Sequence, residues 1–282
     1  VRIVEAPATF IRDYRIQLDP DDASRISGFV KIDGRDMAGR KVRVAIPGLD
    51  INQEIITDSE GKATIRFSPD EIEHWSPDDP RLYSVELSTG HDRLRDRIGF
   101  RTIRTEGSDI LLNGEKVFLR GISIHEESPF SGGRAHSRAD ARQLLQWAKE
   151  LGCNYVRLAH YPHNEHMVRL ADEMGLMVWE EIPVYWTIDW NNPATYENAE
   201  NQLTEVINRD KNRASVIIWS MANETPNSDA RLEFLTSLAQ KTRELDPTRL
   251  ISAALEQSHY QGNSNIRTID DPFAGVVDIL DR

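Results

Sequence analysis

A single cysteine, Cys153, is all the chain holds. One thiol excludes an intrachain disulfide and a metal site made of cysteines alone. It lies in the apolar stretch "CNYVRLAH" and reads as a buried, inert thiol in a strand. No apolar run approaches the roughly 20 residues that cross a bilayer. The first ten residues, "VRIVEAPATF", have no basic stretch followed by an apolar core, so they do not read as a signal peptide. Val1 stands where a starting Met would, which is compatible with a processed or excised chain. Basic residues are also in short supply. There are 34 Lys and Arg against 46 Asp and Glu, for a formal net charge of -12. That balance sets the chain against nucleic acid and anionic membrane as partners. No GxGxxG follows a strand, and "GISIHEESPFSGG" lacks the spacing of a phosphate loop, so no cofactor is expected.

What remains is an ordinary globular composition, 39% apolar and 28% charged, over 282 residues. Such a length suggests two domains. Two different periods divide the chain. Up to about residue 105, short runs rich in Val, Ile, Phe and Tyr ("RISGFVKI", "KVRVAI", "KATIRF", "LYSVEL") alternate with turn clusters such as "DPDD" and "DSEG". This pattern predicts a β-sandwich of immunoglobulin size over 1–105. Over 106–282 strands and helices alternate. "KVFLRGISI" (116–124), "CNYVRLAH", "LMVWEEI", "SVIIWSM" and "RLISAAL" read as strands, and "GVVDIL" (275–280) as a sixth. Between them, 137–152, 164–175, a stretch within 196–213 and 229–245 read as helices, with Ser137 as an N-cap and Gly152 and Gly175 as stops. Strand–helix alternation implies parallel βαβ units, in an open sheet or a barrel.

The polar residues gather at the C-terminal ends of these strands. His125 and Glu126 follow the first, and His160 the second. Glu180 and Glu181 end the third, Asn223 and Glu224 the fourth, and Glu256 follows the fifth. Parallel α/β folds build their sites at this end. The sharpest case is "VIIWSMANETP", an apolar run that stops at Asn223–Glu224. On its own, an Asn–Glu pair equally describes a helix N-cap and a first-turn acid. Five strand ends in a row with His, Asn or Glu favour a site.

Two carboxyl groups across a glycosidic bond can break it, one protonating the leaving oxygen and the other attacking or activating water. An amide beside them can donate to and accept from a sugar hydroxyl. The loop "VYWTIDWNNP" adds Tyr185, Trp186 and Trp190. Such rings suit the CH face of a pyranose, or the loop folds onto the core; both readings stand. "HYPHNEH" spaces His160, His163 and His166 three apart, but Pro162 breaks a common helix and no HExxH is present, so no metal is expected.

"WSPDDPRLYSVEL", "DRIGFRTI", "LNGEKVFLRGISIHEESP", "NYVRLAHYPH" and "VIIWSMANETP" together resemble glycoside hydrolase family 2, the β-galactosidase, β-glucuronidase and β-mannosidase group. The resemblance implies an immunoglobulin-like sandwich followed by an incomplete TIM-type (β/α) barrel of about five or six strands. It implies a carbohydrate substrate, Glu224 as general acid/base and Asn223 on the sugar's 2-hydroxyl. His125 and His160 would contact sugar, and Arg157 would support the acidic centre. The family's nucleophile lies on the seventh barrel strand and maps to no residue here. Glu180, Glu181 and Glu256 are the strand-end carboxylates that could stand in as a second group. Hydrolysis by the chain alone is therefore expected to be weak or absent, and pairing of two copies through an open barrel edge is expected. The other reading is a non-catalytic carbohydrate-binding or structural piece of a larger enzyme.

Overall fold

Strict alternation of buried and exposed positions marks Lys62–Phe67, where Ala63, Ile65 and Phe67 turn inward. A computed structural model of the chain describes residues 5–255, 258–259, 267–268 and 271–279. It divides into two compact units, Val1–Thr102 with Asn212–Ala214, and Ile103–Lys211 with Ser215–Arg282.

The first unit holds β1 (Thr9–Leu18), β2 (Ile26–Gly34), β3 (Lys41–Ile46), β4 (Ile51–Ile56), β5 (Lys62–Phe67), β6 (Tyr83–Thr89) and β7 (Asp92–Ile98). They form two antiparallel sheets, β1-β2-β5 and β4-β3-β6-β7. Inward residues of both sheets, among them Ile16, Val30, Ile65, Val44 and Leu87, share one core, which makes the unit a sandwich. Three strands were missed in the sequence. β1 ("TFIRDYRIQL") and β7 ("DRLRDRI") carry charge on their outer positions, and only their alternate residues betray them. β4 ("INQEII") is polar at its centre and exposed along most of its length.

The second unit opens with a small antiparallel meander, β8 (Ile103–Glu106), β9 (Asp109–Leu112) and β10 (Glu115–Val117). Then come β11 (Gly121–Ile124), the two-residue strands β12 (Glu127–Ser128) and β13 (Gly133–Arg134), α1 (Arg138–Glu150), β14 (Tyr155–Leu158), α2 (Glu165–Met174), β15 (Met177–Glu181), α3 (Pro193–Asp210), β16 (Val216–Asn223), α4 (Asp229–Leu245) and β17 (Leu250–Ala254). Five strands form one parallel sheet in the order β11-β14-β15-β16-β17. Each strand pairs with the next in sequence, so the order never reverses. Right-handed crossovers of that kind put every helix on the same side, as in a (β/α) barrel and unlike a doubly wound sheet. The sequence-level alternatives of open sheet and barrel are separated by this order, and the fold is a sandwich followed by part of a TIM-type barrel. β15 and β16 are buried at every position, because helices cover one face and barrel interior the other.

The helices begin and end as their caps dictate. Ser137 and Asp140 close a capping box on α1. Gly175 ends α2 at φ 68°, the left-handed conformation that glycine adopts without strain. Three expectations are corrected. The run 116–124 is not one strand: β10 pairs antiparallel with β9, residues 118–120 are outside any strand with Phe118 exposed, and β11 starts at Gly121. Cys153 is buried but precedes β14. "GVVDIL" is not a sixth strand. Pro272–Gly275 is a 3-10 turn, and Asp278 folds back to accept from the Ile251 amide at 2.8 Å. Asp278 thereby satisfies part of the outer edge of β17, while Phe273 fills the core beside it.

Candidate active site

β15 ends in consecutive carboxylates, and the pleat sends them to opposite faces. Glu181 faces the barrel interior and is 1% exposed. The Arg157 guanidinium from β14 grips it, with Nη2 at 3.0 Å from Oε1 and Nε at 3.2 Å from Oε2. Trp179 Nε1 donates to Oε2 at 2.9 Å, Ser220 Oγ approaches at 3.4 Å, and His160 Nδ1 lies 2.7 Å from Oε1. Arg157 also stacks over the Trp179 ring at 5.1 Å, a cation–π contact. Its Nη2 donates to Asn223 Oδ1 at 2.6 Å, which orients the amide and leaves Nδ2 as the outward donor.

Glu180 goes the other way, into the helix layer. It is 1% exposed, accepts from Arg209 Nη2 at 2.8 Å, and has Oε2 unpaired. Burial first, and the neighbouring Asp210 charge second, push its carboxyl well above the usual range. A raised folded-state pKa contributes stability that is complete below the unfolded value, near 4.5, and lost as pH rises through the folded one. Glu180→Gln removes this loss. The variant is expected to melt higher than wild type at neutral and alkaline pH, with the gap closing towards pH 4. Parallel melting curves across that range would rule the assignment out.

Glu224 stands at the end of β16, exposed, at φ 50°. Its amide donates to the Ala254 carbonyl at 2.8 Å, which ties it to β17. Opposite it, the loop after β15 runs alongside β16: Asn223 donates to Val184 O at 2.9 Å, and Trp186 to Asn223 O at 3.1 Å. Trp186 also has positive φ, 56°, and its Nε1 donates to Glu224 Oε2 at 3.3 Å. Two non-glycine residues in the left-handed region persist where surrounding bonds hold them, and such sites concentrate at functional centres.

From Glu224 a series of rings extends across the strand ends. Trp186 meets Tyr185 at 5.4 Å, Tyr185 meets His160 at 6.4 Å, His160 meets His125 at 5.3 Å, and His125 meets Tyr161 at 6.2 Å. Trp186 is 63% exposed, a large apolar surface left facing solvent. The structure thus brings Glu224, Asn223, Arg157, Glu181, His160, His125 and Trp186 together. It does not bring in Trp190, which packs edge-on to Phe234 of α4, nor Glu180. Glu256 lies outside the described residues. The sequence reading missed Trp179, Ser220 and Tyr161. Trp179 had a signal, since it stands two residues before Glu181 and so shares its strand face.

Two further polar residues of these strand ends hold local structure. Glu126 is buried, accepts from Arg134 Nε at 2.8 Å and from the Asn164 amide, and so pins the β12–β13 hairpin to the start of α2. His163 Nε2 donates to Ala159 O at 3.0 Å, and burial lowers its pKa, which keeps the ring neutral. Among the described residues no three metal-type side chains converge.

Residues 103–271 match the family model "Glycosyl hydrolases family 2, TIM barrel domain", and residues 9–101 match "Glycosyl hydrolases family 2". The chain belongs to glycosyl hydrolase family 2. It is 30% identical to a β-glucuronidase of Paenibacillus borealis over 89% of this chain and 44% of that protein. It is 31% identical to a β-galactosidase of Arthrobacter sp. (strain B7) over 81% of this chain and 22% of that one. Among solved structures, a family 2 β-galacturonidase from Eisenbergiella tayi superposes with a TM-score of 0.77 at 28% identity, over 89% of this chain and 47% of that one. The chain therefore spans less than half the length of these relatives.

Proposed function

We propose that the chain carries the acid/base half of a β-glycoside hydrolase centre, acting on β-glucuronide- or β-galactoside-type sugars. The observation that carries this reading is Glu224, exposed at the tip of a wholly buried strand and facing a wall of rings, with Asn223 beside it oriented by Arg157. Glu224 protonates the glycosidic oxygen as the bond to the anomeric carbon breaks. Asn223 Nδ2 donates to a hydroxyl of the sugar, and Trp186 packs against the ring's apolar face, with His125 and His160 at its hydroxyls. The relatives named β-glucuronidase and β-galactosidase support this substrate class.

Glu181 is poorly suited to attack the anomeric carbon, because Arg157, His160, Trp179 and Ser220 occupy both of its oxygens. Glu180 lies behind the sheet. A retaining centre needs a second carboxylate about 5–5.5 Å from the acid. Hydrolysis by this chain alone is therefore weak in this reading, and a partner surface completes the site. Among the described residues β11 pairs only with β14 within the parallel sheet, so its outer edge is open to a second copy.

The test is a panel of activated aryl glucuronide, galactoside, mannoside and glucoside, run across protein concentrations and followed by a 2-fluoro-sugar label and mass spectrometry. Slow turnover that rises per molecule with concentration, with no stoichiometric label at low concentration, is expected. A stoichiometric label on Glu181 or Glu256 in dilute protein overturns the incomplete-site reading. Total inactivity at every concentration overturns the enzyme reading in favour of a binding module.

A further inference from the structure

Trp190 belongs to a second feature, at the starts of α3 and α4. It meets Phe234 edge-on at 5.2 Å and 88°, and Tyr196 meets the same Phe234 at 5.2 Å and 84°. Two half-buried rings thus each meet a buried one nearly at right angles. The rings line a cavity of about 400 Å³ between the start of α3 and the first turns of α4. Its charged lining residues are Glu197 and Glu233, and among the described residues neither Lys nor Arg contributes to it.

Charge decides the ligand class. Helix starts carry a partial positive charge of roughly +0.5, which alone would favour an anion. Here Asn192 and Ser228 cap the first-turn amides of α3 and α4 with their own side chains. Two full carboxylate charges then outweigh the two partial ones. Aromatic faces attract cations, and a lining of them suits an ammonium wrapped in alkyl groups, whose shell is apolar and whose charge is diffuse. A small inorganic cation would keep its water and gain little from the rings.

We propose that this cavity binds an organic cation, an alkylated ammonium group, with Trp190, Tyr196 and Phe234 as its aromatic lining and Glu197 and Glu233 as its counter-charges. The site is independent of the sugar reading, since none of its residues belongs to the ring wall at Glu224.

The experiment is calorimetric titration of the full chain with choline chloride, against 3,3-dimethylbutan-1-ol, which has the same shape without the charge. Choline is expected to bind saturably and the alcohol about tenfold more weakly or worse. Trp190→Ala should weaken choline by about tenfold. Glu233→Gln, at an exposed position where an unchanged circular dichroism spectrum is expected, should weaken it about threefold or more. Choline and the alcohol binding equally, no saturable heat with choline, or a methyl β-glycoside displacing choline at equal affinity would each overturn the proposal.

Discussion

Replacing Glu224 with Gln is expected to lower turnover of an alkyl glycoside by about 10²–10⁴-fold, the usual worth of a positioned general acid. The substitution keeps the shape and the capacity to accept from Trp186 Nε1, and removes the transferable proton. Its diagnostic feature is leaving-group dependence. A dinitrophenyl glycoside departs as a stable phenolate and needs no proton, so bond cleavage there should suffer far less. The comparison is a ratio of rates, so it holds even where absolute turnover is slow. Equal losses on both substrates would point to a structural defect, and unchanged turnover on the alkyl glycoside would remove Glu224 from the acid role.

The second large effect is expected from Arg157→Met. Arg157 is the main positive charge against Glu181, whose side chain is 1% exposed. Removing one partner of a buried pair strands the other, at a cost of about 3–5 kcal/mol. For a unit of this size that corresponds to a drop in Tm of about 6–20 °C. The neighbouring donors Trp179, His160 and Ser220 soften the penalty but supply no fixed charge. Arg157→Met combined with Glu181→Leu removes both charges and should recover much of the loss. A single-variant shift below about 2 °C would show that the pair is not what holds these strand ends. The same substitution frees the Asn223 amide to rotate, so sugar binding should weaken even in the stabilised double variant.

Much of the architecture was legible in the chain because it depends on local periods. The helix caps Ser137 and Gly175, the apolar stripe of α1 and the largely apolar run of β16 each follow from neighbouring residues alone. The clustering of His, Asn and Glu at strand ends was legible too, because the C-terminal end of a parallel strand is set by chain direction. Where the chain was misread, a longer-range contact decided. "KVFLRGISI" is apolar enough to be one strand, yet Val117 belongs to an antiparallel meander and Gly121 to the parallel sheet, and the residues between them are given up to the crossing. "GVVDIL" reads as a strand by composition, yet Asp278 caps the edge of β17.

Trp186 and Trp190 show the limit most clearly. They are four residues apart in one loop, and composition treats them alike. The sequence by itself determined the sandwich, the alternation that becomes a parallel sheet, and the carboxylates at its ends, because strand period, helix period and chain polarity are properties of adjacent residues. Only the tertiary structure decided that Glu181 turns to Arg157 and Glu180 to Arg209. It also decided that Trp186 reaches Glu224 while Trp190 packs on Phe234. Those outcomes depend on which side chains from distant segments occupy the space on each face, and on a left-handed turn at Trp186 held by a hydrogen bond to Asn223, on the next strand of the sheet.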